Sequence, residues 1–257
     1  MRKKLSKISA LHYLKLFLRS LLFLSVLVFY ILDKTDVLKN FTPLLVVVWV
    51  FFIVEMLLRF FPSRLESMGC QKQFARNYEP IGDNDRKPEN QSWVVTALVA
   101  SLWVAANAIF GIFYFAGWID KGILILIAIA YSVCDIICIL FFCPFQTWIM
   151  KNRCCTTCRI YNWDFAMMFT PLVFVPSLYN YSLLGCALLL LVRWEIAYRR
   201  HPERFSTATN RCLDCSRCEE KLCSHKKQLQ GFLRRYKTRF FASRGNENRK
   251  DGTSHNR

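Results

Sequence analysis

Two runs of closely spaced cysteines are the residues whose types and spacing could do chemistry. The predicted ligands are Cys154, Cys155 and Cys158 in the first run and Cys212, Cys215, Cys218, Cys223 and His225 in the second. Thiolates at two-residue gaps on a short turn can bind one metal ion or cluster together. The spacing therefore predicts a metal site.

The second run resembles the bacterial ferredoxin signature C-x2-C-x2-C-x3-C-P, in which the fourth cysteine can ligate a second cluster. It differs in the four residues that precede Cys223 and in having no proline after it. The segment Cys138-x4-Cys143-Pro144 looks like the Cys-Pro helix ends of membrane-anchored ferredoxin-type redox subunits. The two patches cover fewer than about forty residues. The resemblance implies an iron–sulfur cluster.

Zinc is the alternative metal. The pairs Cys155/Cys158 and Cys215/Cys218 are C-x2-C knuckles, and two such knuckles complete a tetrahedral thiolate site when they meet. His225 suits zinc better than a cubane cluster. The cofactor is therefore predicted to be an iron–sulfur cluster or Zn²⁺, and the choice stays open.

The rest of the chain indicates an all-α integral membrane protein. Of its 257 residues, 54% are hydrophobic, and they fall in blocks of the length that crosses a bilayer as a helix. We predict six transmembrane helices arranged as three hairpins within a membrane domain over residues 1–201. The predicted spans are about 11–32, 41–61, 93–117, 122–142, 163–177 and 181–198.

The last two spans require a decision about residues 163–198. This segment has 36 residues, whereas one tilted helix needs only about 20–25. Pro171 and Pro176 interrupt it, and a polar stretch over 177–182 divides it. The pattern favours a hairpin over one long helix.

Lysine and arginine positions predict the orientation. With six spans, Lys34, Lys39 and Lys121 are the only basic residues in the loops of one side, while both termini and the longer loops carry most of the net charge of +17. The positive-inside rule then places both termini in the cytoplasm. We expect the chain to lie in the cytoplasmic membrane of a prokaryote. Thiols there stay reduced, which favours metal ligands over disulfides.

The chain beyond the last span is predicted to contain two parts. Residues 202–242 form a cytoplasmic cysteine-rich, metal-binding segment followed by a basic amphipathic helix. Such a helix binds the surface of the bilayer through anionic lipid, and its tether to the membrane makes nucleic acid an unlikely partner. Residues 243–257 lack an apolar pattern and are predicted to be disordered.

The three even-numbered spans have similar ends. Each is followed by a proline and then by a cysteine, which is Cys70, Cys154 or Cys212. Three hairpins with internal similarity would be a plausible six-helix architecture, and chance similarity of helix ends is the alternative.

Each of these spans also carries an acid, Glu55, Asp135 or Glu195. Acids at such depth could form a path for protons or cations. They could instead anchor helix ends through the ion pairs Glu55–Arg59, Glu195–Arg199 and Asp135–Arg193. We favour the ion pairs.

The predicted function is a membrane metalloprotein for iron–sulfur electron transfer or redox sensing, with a redox or membrane protein as partner. The alternatives are a non-enzymatic protein with a structural zinc site and a small-solute or ion transporter that uses the membrane carboxylates. Cys134, Cys138 and Cys186 lie within spans and are interpreted as packing residues. The sequence contains no P-loop and no G-x-S-x-G or H-E-x-x-H motif, so whether the protein is an enzyme stays undecided.

Overall fold

The structure is a computed structural model that describes residues 7–32, 42–62, 68–81, 87–89, 91–152 and 154–214. Within these ranges all regular structure is helical and no strand forms. The α-helices are α1 (Lys7–Leu32), α2 (Thr42–Leu58), α3 (Met68–Gln71), α4 (Trp93–Phe115), α5 (Lys121–Leu140), α6 (Asp164–Phe169) and α7 (Leu178–Arg200). Short 3-10 or π turns occupy Ala75–Asn77, Phe145–Ile149, Cys155–Thr157, Arg159–Trp163, Thr170–Phe174, Pro202–Arg204 and Arg211–Leu213.

Four helices in the described ranges are long and apolar enough to cross a membrane. They are residues 10–32 of α1 and the whole of α4, α5 and α7, and each of these stretches has 20 to 23 residues. A helix of 20 residues rises about 30 Å, which matches the hydrocarbon thickness of a bilayer. The predictions of spans over 11–32, 93–117, 122–142 and 181–198 correspond to these helices.

The predicted second span is shorter than expected. The helix α2 has 17 residues, so it rises only about 25 Å. Its C-terminal half still belongs to the core, as the burial of Phe52 and Met56 shows. The structure therefore supports an all-helical membrane protein with four candidate spans but does not confirm six.

The predicted span over 163–177, which two prolines interrupt, is not confirmed as a continuous α-helix. The helix α6 ends at Phe169, a 3-10 turn continues over Thr170–Phe174, and the backbone becomes extended at Val175. Pro171 explains the break, because proline lacks the backbone N–H and its ring clashes with the preceding turn. The Thr170 hydroxyl donates to the Ala166 carbonyl, one turn earlier, at 2.7 Å.

This broken segment, residues 164–175, lies in the centre of the bundle. It packs against α4, α5 and α7. Phe165, Met168, Phe169, Leu172 and Val175 are all buried. Irregular backbone is tolerated at membrane depth where protein surrounds it. The chain then reverses before Leu178 and α7 runs back along the segment, so the predicted hairpin is retained with a broken first arm.

Candidate functional site

The first cysteine run forms a tight turn between α5 and α6. The Cys154 Sγ lies 3.0 Å from Thr156 Oγ1, whereas the Cys155 thiol donates to Gln146 Oε1 at 2.9 Å. Cys158 is buried, and this burial raises the pKa of its thiol to about 12. The thiol therefore stays protonated at neutral pH, and metal binding there would have to release a proton.

Cys154 and Cys155 each contact a different polar side chain, Thr156 and Gln146. In the ranges that the structure describes, no group of three or more His, Cys, Asp or Glu side chains could hold a metal ion. Four predicted ligands, Cys215, Cys218, Cys223 and His225, lie outside those ranges. The predicted basic helix and the predicted disordered tail also lie outside them. The complete metal site stays a prediction.

The segment that follows α2 contacts the first cysteine run. Cys70 is fully buried, and three residues later the Gln73 amide donates to the carbonyl of Thr156. The Asn162 amide in turn donates to Gln73 Oε1 at 2.8 Å. Gln73 is itself buried, so these bonds fix the segment against the turn that carries Cys155 and Cys158.

The same segment also contacts the start of the second cysteine run. The fully buried Asn210 donates to the carbonyl of Lys72 at 3.0 Å and accepts from the backbone N–H of Cys212 at 3.1 Å. The backbone N–H of Arg211 donates to the Glu79 carbonyl at 2.8 Å. The segments that carry Cys70, Cys154 and Cys212 are therefore joined at one end of the bundle, which we call the cysteine-rich end.

A layer of charged side chains crosses the bundle below this end. Arg19 of α1 is 4% exposed and donates from Nη2 to Glu55 Oε2 at 2.8 Å. Its Nη1 donates to Asp135 Oδ2 at 3.2 Å and to the Ser132 carbonyl at 2.8 Å. Lys15 Nζ lies 2.6 Å from Glu55 Oε1. One arginine thus links α1, α2 and α5.

A second ion pair extends the layer to the broken segment. Arg59 Nη1 lies 2.7 Å from Asp164 Oδ1 and 2.6 Å from Oδ2, and the guanidinium covers the Phe165 ring at 4.6 Å. We define the charged layer as Lys15, Arg19, Glu55, Arg59, Asp135 and Asp164. It contains three cations and three carboxylates, so its formal charges balance.

The three predicted ion pairs are wrong in their partners. Glu55 pairs across helices with Arg19 and Lys15 rather than with Arg59. Asp135 pairs with Arg19 rather than with Arg193, whose guanidinium stacks on the Phe60 ring.

Glu195 pairs with Arg159 at 2.6 Å and accepts from the Trp163 indole at 2.9 Å, rather than pairing with Arg199. Buried charges take partners from other elements here because those elements surround them on all sides, whereas an i,i+4 neighbour shares only one face.

A cavity of about 370 Å³ lies between the charged layer and the cysteine-rich end. Asp135 and Asp164 form part of its wall next to the charged layer, and most of the remaining wall is aromatic or aliphatic. Five cysteines also line it: Cys134, Cys138, Cys143, Cys155 and Cys158. We call it the thiol-lined cavity.

Two of these cysteines are not among the predicted ligands, although they belong to the Cys138-x4-Cys143-Pro144 patch. Cys138 and Cys143 carry thiols that are hydrogen-bonded to each other, although the sequence assigned Cys138 to packing. Their five-residue spacing would separate them on a continuous helix. The helix ends at Leu140, so the turn that follows brings them together. Cys143-Pro144 was the one sequence signal, because proline after a helix marks such an end.

Gln73 and Asn210 were missed entirely. Their partners Thr156 and Lys72 are 83 and 138 residues away in sequence, and no short motif encodes such contacts. Neither a protein-family model, nor a curated protein, nor a solved structure matches this chain.

Proposed function

We propose that this chain is an integral membrane protein whose cysteine-rich end binds a metal centre. The observation that carries the proposal is the hydrogen bonding of residues 70–73 to both cysteine runs, through Thr156 and Asn210. Those bonds hold the first run beside Cys212, where the second run begins. Ligands from two distant segments need such a frame to reach one centre.

The proposed centre is an iron–sulfur cluster used for electron transfer or redox sensing, and structural zinc is the rival. Both draw on the same thiols, with Cys212, Cys215, Cys218 and Cys223 as the core of the set. The lysine and arginine distribution supports a cytoplasmic position for this end. The apolar outer faces of α1, α4 and α7 fit contact with lipid.

The transporter alternative has less support. Glu55, Asp135 and Glu195 each face an arginine at ion-pair distance, so none of the three is a bare carboxylate in the described bundle. A pathway acid that loads and releases a proton or cation would have to leave its arginine first, at a cost of several kcal/mol when buried.

Metal analysis after anaerobic purification tests the proposal. We expect iron with acid-labile sulfide and broad visible absorption, at a constant ratio to protein. Colourless protein with stoichiometric zinc would replace the redox function by the structural one. Protein that contains neither metal would refute both.

Serine variants locate the ligands. We expect the combined change of Cys215 and Cys218 to remove most of the metal, and Cys155 with Cys158 to do the same if both runs share one centre. Cys186→Ser is the matched control, since this half-buried thiol lies on α7 away from both runs. Equal metal content in all three variants would contradict the assignment.

A further inference from the structure

The thiol-lined cavity has the lining of a site for a flat, lipid-soluble molecule. Its volume of about 370 Å³ falls in the range of small-molecule sites, which are mostly apolar with few polar groups. The rings of Trp103, Tyr131, Phe142, Phe145 and Tyr161 form much of the wall. The Trp103 and Tyr131 rings pack at 4.6 Å, and the Trp103 indole donates to Thr170, which fixes its orientation.

The cavity wall reaches the outer surface of α5. Cys134 is exposed and Ile137 is 37% exposed, yet both line the cavity. Because α5 is a candidate membrane span, the surface at this point is one that lipid would cover. A ligand dissolved in the hydrocarbon could therefore enter from the side.

The chemistry inside the cavity is that of a dithiol. The Cys138 and Cys143 thiols are hydrogen-bonded to each other. The backbone N–H of Gln146 donates to Cys143 Sγ at 3.4 Å, which helps to fix the position of that sulfur. Two adjacent thiols can lose two electrons together by forming a disulfide.

One polar group is placed to hold an acceptor. The Tyr131 hydroxyl takes part in no hydrogen bond among the described residues, although it lines the cavity. A phenol in an apolar site is a donor for a carbonyl oxygen.

We propose that the thiol-lined cavity binds a lipid-soluble quinone, which oxidises the Cys138–Cys143 dithiol. In this step two S–H bonds break and one S–S bond forms. The quinone receives the two electrons and two protons at its two oxygens and leaves as the quinol. Tyr131 positions the ring by donating to one carbonyl oxygen. The reacting pair is distinct from the proposed metal ligands, which include neither Cys138 nor Cys143, although the ligands Cys155 and Cys158 also line the cavity.

The test uses the full chain, reduced without oxygen, freed of reductant and placed in lipid nanodiscs. Decylubiquinone is the probe, because its ring is fully substituted and therefore has no free carbon to which a thiol could add. Quinol formation is followed by absorbance, and remaining thiols are alkylated and mapped by peptide mass spectrometry. We expect a disulfide between Cys138 and Cys143 with one quinol formed for each. If both cysteines are still free thiols after incubation with the quinone, and are therefore found alkylated, the proposal is overturned. The mapping needs no variant, so it decides even where a substitution prevents folding.

Variants then separate the dithiol from other thiols. We expect Cys138→Ser and Cys143→Ser to slow quinol formation at least tenfold, while Cys186→Ser leaves the rate unchanged. Equal rates in all three would refute the assignment. Tyr131→Phe should raise the KM for decylubiquinone several-fold with little change in kcat, and an unchanged KM would remove Tyr131 from the site. Repeating the wild-type assay after chelator treatment distinguishes this proposal from the metal centre, since the dithiol reaction should persist without metal.

Discussion

The charged layer and the thiol-lined cavity are adjacent, since Asp135 and Asp164 belong to both, but they differ in how they satisfy polar groups. In the charged layer each carboxylate faces at least one cation at 3.2 Å or less. In the cavity the wall is mostly apolar, and the Tyr131 hydroxyl has no partner among the described residues. Paired charges fix one arrangement of helices, whereas an open polar group beside empty volume is available to a ligand. We therefore expect the charged layer to stabilise the fold and the thiol-lined cavity to bind a ligand.

The charged layer also explains how α1 joins the bundle. Much of the apolar surface of this helix is exposed, and it packs mainly on α5. Where the surroundings are lipid, apolar contact adds little preference between helix and bilayer, so polar contacts carry more of the association. Arg19 supplies those contacts to both α2 and α5.

The largest expected effect is therefore the loss of Arg19. Arg19→Leu leaves Glu55 with Lys15 alone and removes the guanidinium from Asp135. We expect a loss of about 3–5 kcal/mol in the free energy of unfolding, because breaking a buried pair leaves an uncompensated charge. Chemical denaturation in detergent micelles measures it.

Two further variants control this prediction. Arg199→Leu, at an exposed arginine of α7, should change stability by less than about 0.5 kcal/mol. Arg19→Leu combined with Asp135→Asn should recover much of the loss, because Glu55 keeps Lys15 and the unpaired charge at position 135 is gone. Similar stability of the two arginine variants would contradict a structural role for the layer.

A middle-sized effect is expected at the pair Arg159–Glu195, which lies at the margin of the membrane region. Glu195→Gln should lower stability by about 1–3 kcal/mol, since Glu195 also accepts from Trp163. A double-mutant cycle should give a coupling of at least about 0.5 kcal/mol with Arg159 and almost none with Arg199. The opposite ranking would restore the local i,i+4 pair that the sequence predicts.

The smallest effect on stability is expected inside the cavity. Tyr131→Phe removes only a hydroxyl that the described bundle leaves without a hydrogen bond, so the free energy of unfolding should change by less than about 0.5 kcal/mol. The same denaturation experiment measures it. A loss above about 1 kcal/mol would show that the hydroxyl stabilises the fold. The cavity would then not differ from the charged layer in this respect.

Much of the membrane architecture could be predicted from hydropathy. The spans over 93–117 and 122–142 agree with α4 and α5 to within two residues at each end, because about 20 apolar residues in a row specify a membrane helix. The segment 163–177 could not be predicted in the same way. Its apolar residues fit a span, but its two prolines and its burial among three helices make it a broken central element.

The candidate site divides similarly. The sequence indicated thiol chemistry at Cys154–Cys158 and from Cys212 onward, because the gaps between those residues are local. It could not indicate that Gln73 and Asn210 join the two runs, or that Arg19 would take both Glu55 and Asp135. It also assigned Cys138 to packing, since Cys143-Pro144 marks the end of α5 but does not show that the turn places Cys143 beside Cys138.

By itself, the sequence determined the membrane environment, the helical class and the residue types available for chemistry. Those depend on composition and on spacing along one helix or turn, which the chain fixes locally. The tertiary structure alone decided which charges pair, that the broken segment lies in the centre of the bundle and which thiols share a cavity. These depend on how helices distant in sequence pack, because a buried polar group takes the partner that surrounds it in space.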